Sequence, residues 1–240
     1  MKRLHFCALA VLLCVLLLPS AGWCGAIDSR TSRFSVFSHG FRVGEATSVC
    51  SLEGSGERAM FRFSSSTRIS ASLLMRSYLL DKHEDALVGS GGTLRYSRTS
   101  RENGHPVVVQ GELEHNEFRI RVTENRNVRT IVIPREQYDY TTMECPEMRL
   151  KREGETAALR LLDFETLEVV TRRYTWIRSE EIQVGGKSYR FRVVQFEDKN
   201  KRCRRWIRGD DVGVMIARQE GRGKAGSYSA KLVEYKTLLF

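Results

Sequence analysis

Apolar and polar residues alternate along much of this chain with a period of two, and turn residues interrupt the pattern at short intervals. In residues 118–123 (FRIRVT), the apolar side chains fall on one face and the polar side chains on the other. Successive side chains of a strand point to opposite faces, so this pattern predicts a strand with one buried and one solvated face. It predicts strands at 33–38, 43–52, 59–64, 94–101, 107–113, 118–123, 128–133, 167–172, 174–180, 189–197, 202–207, 212–218 and 228–236.

The connections between these segments are short and carry residues that tolerate positive φ, as tight hairpin turns require. They are Asn103-Gly104, Gly185-Gly186, and residues 125–127 and 209–211. Short connections make neighbouring strands antiparallel, and a meander of about a dozen strands has to curl or close to protect its edges. The sequence therefore predicts an all-β fold, an antiparallel meander closed or curved into a barrel or half-barrel.

Two segments depart from the alternation. Residues 72–88 contain enough Leu, Met and Ala for a helix but suit an extended strand equally well, and residues 135–149 suit a loop with one or two helical turns. Linkers, repeats and low-complexity tracts are absent from the sequence. We therefore expect a single domain over residues 27–240.

The first 26 residues have the layout of a secretory signal peptide. Lys2 and Arg3 precede an apolar run at 5–18, and small residues follow it, with the best cleavage frame at residues 24–26. The run is shorter than the roughly 20 residues that cross a bilayer as a helix. We expect cleavage after residue 26 and a periplasmic or secreted protein; lipidation or retention as an anchor are the alternatives.

The charge of the chain indicates its partners, and its cysteine content indicates its disulfides. Lys and Arg outnumber Asp and Glu by 39 to 29, which suits an anionic lipid, an anionic glycan or an acidic protein. For a secreted chain we expect no nucleic acid among the partners. Beyond the signal peptide Cys50, Cys145 and Cys203 remain, so we expect one disulfide with one free thiol, or a bridge between molecules; their spacing does not select the pair.

Gly221, Gly223 and Gly226 follow the G-x-G-x-x-G spacing of dinucleotide-binding loops. Such a loop needs a helix after it, whose N-terminus meets the phosphates. Residues 227–235 alternate like a strand instead. We therefore interpret the glycines as a hairpin between the last two strands and expect no nucleotide.

Motifs of catalysis and metal binding are missing. The sequence has no G-x-S-x-G, H-E-x-x-H or Walker pattern. His83, Glu84 and Asp85 are candidate ligands, but neighbours on a strand point to opposite faces and do not share a site. We expect no catalytic residue, no metal site and no cofactor; a hydrolase site assembled only in space stays a third hypothesis.

Two segments are candidate binding sites. In residues 199–208 the alternation places Arg202, Arg204, Trp206 and Arg208 on one strand face, where guanidinium and indole groups would hold an anionic head group, sugar or phosphate. The alternative is an outer strand whose arginine stems cover apolar surface.

The second candidate is the segment 138–145, which interrupts the meander with aromatic and polar side chains. Tyr138 and Tyr140 would line the mouth of the barrel, because interrupting loops often lie there. A lid or a plug against the core explains the same residues equally well.

Several spaced features resemble those of uncharacterised bacterial secreted proteins that are assigned to domains of unknown function. In those proteins a signal peptide is followed by a curved β-meander. The features are residues 34–37 with Gly40 and Val43-Gly44-Glu45, the strand from 94 to Asn103-Gly104, Tyr138-Asp139-Tyr140-Thr141, and the segments 206–211, 214–218 and 228–235. Their architecture is similar to that of LolA-type lipoprotein carriers. That resemblance implies a concave apolar face for a lipid, and it brings no catalytic residues.

Two functional hypotheses follow. The first is a non-catalytic periplasmic or secreted binding module for a lipid or other amphiphile. The second is a cell-envelope protein that docks through the basic strand at 202–208 to an anionic surface or a protein partner.

Overall fold

The computed structural model of the chain describes residues 28–54, 56, 59–73, 76–210, 212–223 and 226–238. The signal peptide expected at residues 1–26 lies outside this part of the chain. Within it, no helix has both the length and the apolar character needed to cross a membrane.

The described residues form fifteen strands and two short 3₁₀ helices, the latter at Arg135–Gln137 and Pro146–Arg149. The first eight strands are β1 (Asp28–Ser38), β2 (Phe41–Glu53), β3 (Met60–Leu73), β4 (Arg76–Gly89), β5 (Gly92–Glu102), β6 (His105–Glu114), β7 (Glu117–Glu124) and β8 (Asn127–Pro134). The other seven are β9 (Tyr140–Thr141), β10 (Thr156–Asp163), β11 (Glu168–Val184), β12 (Lys187–Glu197), β13 (Lys201–Asp210), β14 (Gly213–Gly223) and β15 (Gly226–Leu238).

All fifteen strands belong to one sheet, in the order β8-β7-β6-β5-β4-β3-β2-β1-β15-β14-β13-β12-β11-β10-β9. β1 lies in the middle of the sheet and joins two meanders through antiparallel pairing with β2 and β15. Neighbours pair antiparallel except β9 and β10, which run parallel. The sheet is curved but does not close, which confirms the all-β prediction in its half-barrel form.

Three of the four predicted hairpin turns are confirmed, at Asn103-Gly104, residues 125–127 and Gly185-Gly186. The turn predicted at residues 209–211 lies later in the chain, because Asp210 still pairs with Gly213 as the last residue of β13. Asn103 and Gly104 join β5 to β6 with φ of 47° and 88°, values that favour these two residue types. Gly223 pairs with Gly226 in the register between β14 and β15. The glycines near the C-terminus therefore belong to a hairpin, as predicted, and residues 224 and 225 at its tip lie outside the described residues.

Three segments differ from the strand predictions or go beyond them. Residues 76–89 are the strand β4, which decides between the helical and extended alternatives. β10 was not predicted, because its last three residues are all buried and the alternation disappears. β11 is one strand of 17 residues where two were predicted, because Arg172 places a charged side chain at a buried position and interrupts the apolar pattern.

The buried side chains form three apolar clusters. The first lies between β4–β8 and the end of β10, the second between β10–β13 and residues 140–150, and the third among β11–β15. The two halves of the sheet on either side of β1, here called its arms, contain β2–β8 and β9–β15. They meet in the first cluster, where Phe164, after β10, stacks on Tyr96 of β5 with ring centroids 4.1 Å apart. These contacts, between residues far apart in the sequence, hold the sheet in its curved shape.

β2 and β3 approach each other closely at Gly44, which pairs with Ile69. A Cβ at this position would lie 2.1 Å from the backbone oxygen of Arg68. We expect Gly44→Ala to lower the free energy of unfolding by roughly 1–3 kcal/mol, because the strands have to move apart. Urea unfolding measures the effect. Gly91→Ala is the matched control, since no atom lies within 4 Å of the added Cβ, and equal stabilities of the two variants would contradict the prediction.

Candidate functional site

Residues 135–155, here called the crossing segment, lead the chain from the edge strand β8 to β10 and include both 3₁₀ helices and β9. Glu144 fastens the segment to β5, since its Oε1 atom accepts hydrogen bonds from the backbone N and the Oγ1 of Thr93, both at 3.1 Å. Arg192 of β12 donates through Nη1 to the carbonyl oxygens of Met148 (3.1 Å) and Leu150 (2.8 Å). The segment is thus bonded to both arms of the sheet.

A buried ion pair adds a third attachment. Arg205 of β13 donates from Nη1 to Oε1 of Glu147 at 2.9 Å, and the Glu147 side chain is 1% exposed. Although burial disfavours the charge of Arg205, the Glu147 carboxylate raises its pKa. The other oxygen of Glu147 is buried and has no hydrogen-bond partner among the described residues.

A cavity of about 560 Å³, here called the inner cavity, lies between the crossing segment and the sheet. Alternate residues of β1 and β2 (30, 32, 34 and 48, 50, 52) face it, as the period of two requires. Its apolar wall is formed by Phe34, Leu52, Phe61, Phe63, Val88, Met143, Met148, Val212, Val214 and Ile216. Apolar residues therefore form the largest group in the lining, which also contains polar and charged side chains, among them Ser32, Ser48, Thr142 and Glu144.

Arg30 is the most deeply buried charged group in the wall of the inner cavity. It is 2% exposed, and its guanidinium donates to Oδ2 of Asp210 at 2.5 Å and to the carbonyl oxygen of Val214 at 2.6 Å. Burial disfavours its charge, yet Cys50 and Asp210 raise the pKa of Arg30. Asp210 therefore neutralises Arg30 within the wall.

The three cysteines beyond the expected signal peptide are free thiols, so the expected disulfide is not formed. Cys50 and Cys145 both line the inner cavity. Burial raises the pKa of Cys145 to about 12 and also raises that of Cys50, so both remain protonated near neutral pH. Cys203 lies elsewhere, with its Sγ 3.5 Å from Oη of Tyr228.

The two predicted tyrosines occupy different places. Tyr138 is 3% exposed and belongs to the first apolar cluster, under the guanidinium of Arg135 at 4.6 Å. Tyr140 lines the inner cavity, and the guanidinium of Arg149 lies 5.6 Å from its ring centroid. The crossing segment thus both packs against the core and lines a cavity, the two alternatives that its sequence left open.

The structure does not bring the four predicted residues of β13 together. Trp206 is 3% exposed and donates its indole N–H to Oε2 of Glu180 at 2.6 Å. The guanidinium of Arg208 lies 4.5 Å from the ring of Tyr189. Arg202 and Arg204 line a separate groove. Only these last two remain together in one cavity.

His83, Glu84 and Asp85 of β4 point to alternate faces of the strand, as expected. His83 and Asp85 pair with each other at 3.1 Å on the exposed face, whereas Glu84 accepts a hydrogen bond from Tyr96 at 2.8 Å. In the part of the chain that the structure describes, no group of three or more His, Cys, Asp or Glu side chains is placed to hold a metal ion.

Sequence reasoning missed Arg30 and Glu147, and it placed Glu144 and Arg205 in candidate segments without their roles in the attachments of the crossing segment. A signal was present for one of them, because the Arg30 charge falls on the inward face of a strand whose alternation places Ser32 and Phe34 inside. The partners lie far away in the sequence, with Glu147 and Arg205 separated by 58 residues. Only the folded sheet shows that they meet.

One solved structure with the same architecture is the crystal structure of a β-barrel-like protein of domain of unknown function DUF1849 from Brucella abortus. The match has a TM-score of 0.61 and 12% sequence identity, and it covers 89% of this chain and 98% of that chain. At this identity the likeness shows the fold alone. It confirms the expected resemblance to an uncharacterised β-rich domain. No protein-family model and no curated protein sequence matches the chain.

Proposed function

We propose that this protein is a non-catalytic binding module for an amphiphile, and that the inner cavity holds the apolar part of the ligand. The observation that carries the proposal is the cavity itself, about 560 Å³ in volume and lined mainly by aliphatic and aromatic side chains. Ligand sites commonly have volumes of 300–1,000 Å³ with apolar walls and few polar groups. Packing of a core leaves no comparable void.

The volume suits one acyl chain. A methylene group takes up about as much space as a water molecule, roughly 30 Å³ in the liquid, so the cavity can hold on the order of 20 of them. A ligand with two long chains would have to leave one outside.

The cationic group available to a ligand is Arg149. Its side chain is exposed, lines the inner cavity and lies over the ring of Tyr140. Within the described residues it forms no ion pair, whereas Arg30 and Arg205 are neutralised by Asp210 and Glu147. An anionic head group at the cavity mouth would therefore meet Arg149.

The proposed setting is the periplasm or the outside of the cell, as the signal-peptide pattern of residues 1–26 suggests. A concave sheet with an apolar pocket is also the architecture of LolA-type carriers, which supports a lipid as the ligand. Fold likeness alone does not fix function, so the proposal depends on the cavity.

The test is a titration with cis-parinaric acid, a fluorescent fatty acid, in the wild type and in Ser48→Phe. Ser48 lines the inner cavity, and a phenyl ring there would project into the space that an acyl chain would occupy. We expect at least a tenfold loss of affinity, since apolar burial of the chain is the main source of binding.

The matched control is Ser66→Phe, because Ser66 is exposed on the other face of β3 from Phe61 and Phe63. It should bind like the wild type. Equal affinities for Ser48→Phe and Ser66→Phe, with both variants folded by circular dichroism, would refute the proposed site.

A second candidate function is docking to an anionic surface through the basic strand. The observation that favours it is an open groove lined by Arg202 and Arg204. The sequence hypothesis included four residues of β13, and the other two do not line this groove.

A further inference from the structure

The groove that contains Arg202 and Arg204, here called the tip groove, has a volume of about 590 Å³. It lies where the β1–β2 turn meets the β14–β15 hairpin, and β12 and β13 complete it. Its lining includes Gly40, Arg202, Arg204, Glu220, Arg222 and Tyr228. None of these residues lines the inner cavity.

Direct contacts hold the two hairpins together. Ser38 donates from Oγ to the carbonyl oxygen of Ser227 at 3.3 Å, and the ring of His39 lies 3.4 Å from the position of a Cβ on Gly226. The ring of Tyr228 lies against Gly221, where a Cβ would come within 2.4 Å of it. The groove wall is thus formed by packed strands.

The tip groove has an excess of positive charge. It contains the guanidinium groups of Arg202, Arg204 and Arg222 and one carboxylate, that of Glu220, which pairs with Arg218. Arg202 has a loose partner in Glu197 at 3.5 Å, and both side chains are largely exposed. In the described part of the chain, Arg204 and Arg222 form no ion pair, and Nε of Arg204 is buried without a hydrogen-bond partner. Planar guanidinium groups of this kind suit phosphate oxygens.

An exposed aromatic residue stands beside this charge. Phe41 follows Gly40 of the groove lining and is 75% exposed, the highest value for a large apolar side chain among the described residues. Its neighbour Arg42 has a side chain that is 62% exposed. Aromatic side chains anchor proteins at the interface of a bilayer, and basic residues around them attract anionic lipids.

We propose that this end of the sheet docks on a bilayer that contains anionic phospholipid. Phe41 enters the interface, and Arg204 and Arg222 bind phosphate head groups in the tip groove. A bilayer accounts for both features at once, because a soluble anion would use the arginines but leave Phe41 in water. The proposal rests on the second candidate function and names its partner, and it does not depend on a ligand in the inner cavity.

The test is sedimentation of the protein with vesicles of phosphatidylcholine and phosphatidylglycerol. Each basic residue near such a surface contributes about fivefold to binding, so Arg204→Gln with Arg222→Gln should weaken it roughly 25-fold. Phe41→Ser should weaken it on the order of tenfold through the loss of apolar burial. High salt should release the wild type.

The matched control for charge is Arg121→Gln with Arg129→Gln, two exposed arginines on β7 and β8. It should bind nearly as the wild type does. Equal losses in the control and the groove variant, or equal binding to vesicles of phosphatidylcholine alone, would overturn the proposal. So would binding of sn-glycerol 1-phosphate through Arg204 and Arg222 without vesicle binding, which would assign the groove to a soluble phosphate. Ser48→Phe should bind vesicles like the wild type, which separates this outcome from that of the cavity.

Discussion

Arg172→Leu is expected to lower the free energy of unfolding by about 3–5 kcal/mol, the usual cost of removing one partner from a buried ion pair. For a domain of this size the melting temperature should fall by roughly 6–20 °C. Thermal and urea unfolding followed by circular dichroism would measure both quantities.

The reason is a buried charge network that connects β10, β11 and the end of β12. Arg172 donates from Nη2 to Oδ2 of Asp163 at 2.6 Å and from Nε to Oδ2 of Asp198 at 2.8 Å, and all three side chains are at most 2% exposed. Lys201 adds a contact to Asp163 at 3.1 Å. Without Arg172, Asp163 and Asp198 stay buried and Lys201 is the one cation of the network that remains. The remaining attraction does not offset the cost of desolvating the two carboxylates.

The loss of stability in Arg172→Leu should depend on pH. In the wild type, burial favours the neutral form of Asp163, but the charges of Lys201 and Arg172 outweigh it and lower the pKa of Asp163. The stability from this group is therefore present above about pH 4, the pKa in the unfolded chain, and is lost as pH falls through the lower folded value. In the variant one of these two charges is gone, so we expect the folded pKa of Asp163 to be higher than in the wild type. The difference between variant and wild type should therefore shrink from pH 7 towards pH 4.

The control is Arg173→Leu, since Arg173 is the exposed neighbour on the same strand. Substitutions at such positions usually change stability by no more than about 0.5 kcal/mol. A loss at Arg172 as small as at Arg173, or a deficit that grows on acidification, would show that the network does not stabilise the fold in this way.

Arg205→Leu should detach the crossing segment from β13. Glu147 would keep a buried carboxylate without its cation, and we expect a loss of about 3 kcal/mol, at the lower end of the range because the Arg205 side chain is 18% exposed. Hydrogen exchange should rise at amides 147–150, and the bonds that Arg192 still donates to Met148 and Leu150 should limit the rise.

The double variant Glu147→Leu with Arg205→Leu tests the cause. Removing both charges leaves no unpaired ion, so this variant should be more stable than Arg205→Leu alone. The loss of unfolding free energy in the double variant could instead equal the sum of the losses in the two single variants. In that case the ion pair would not be the link between the crossing segment and the sheet.

The local patterns of the sequence predicted the sheet well, because strands and hairpin turns depend on neighbouring residues. Asn103-Gly104 and Gly185-Gly186 identify their turns, since positive φ favours Gly and Asn. The predictions failed where tertiary packing outweighs the local pattern. At the end of β10 both faces are covered, and at Arg172 a charge is buried.

The candidate sites were harder to predict than the fold. Alternation places Trp206 on the same face as Arg202 and Arg204, but it does not show that this face is covered near Trp206 by Glu180 and Arg218. The inner cavity depends on the path of residues 135–155 across the sheet, which leaves no periodic signal. The sequence indicated an aromatic interruption at Tyr140, and the three-dimensional contacts supply what surrounds it.

Native mass spectrometry of the protein, purified without detergent and then incubated with cis-parinaric acid, would decide whether the inner cavity holds an amphiphile. We expect a complex of one ligand per chain, either with a lipid that co-purifies or with the added fatty acid, and we expect Ser48→Phe to give the mass of the bare chain. A bare chain for the wild type both before and after incubation would contradict an amphiphile-binding function.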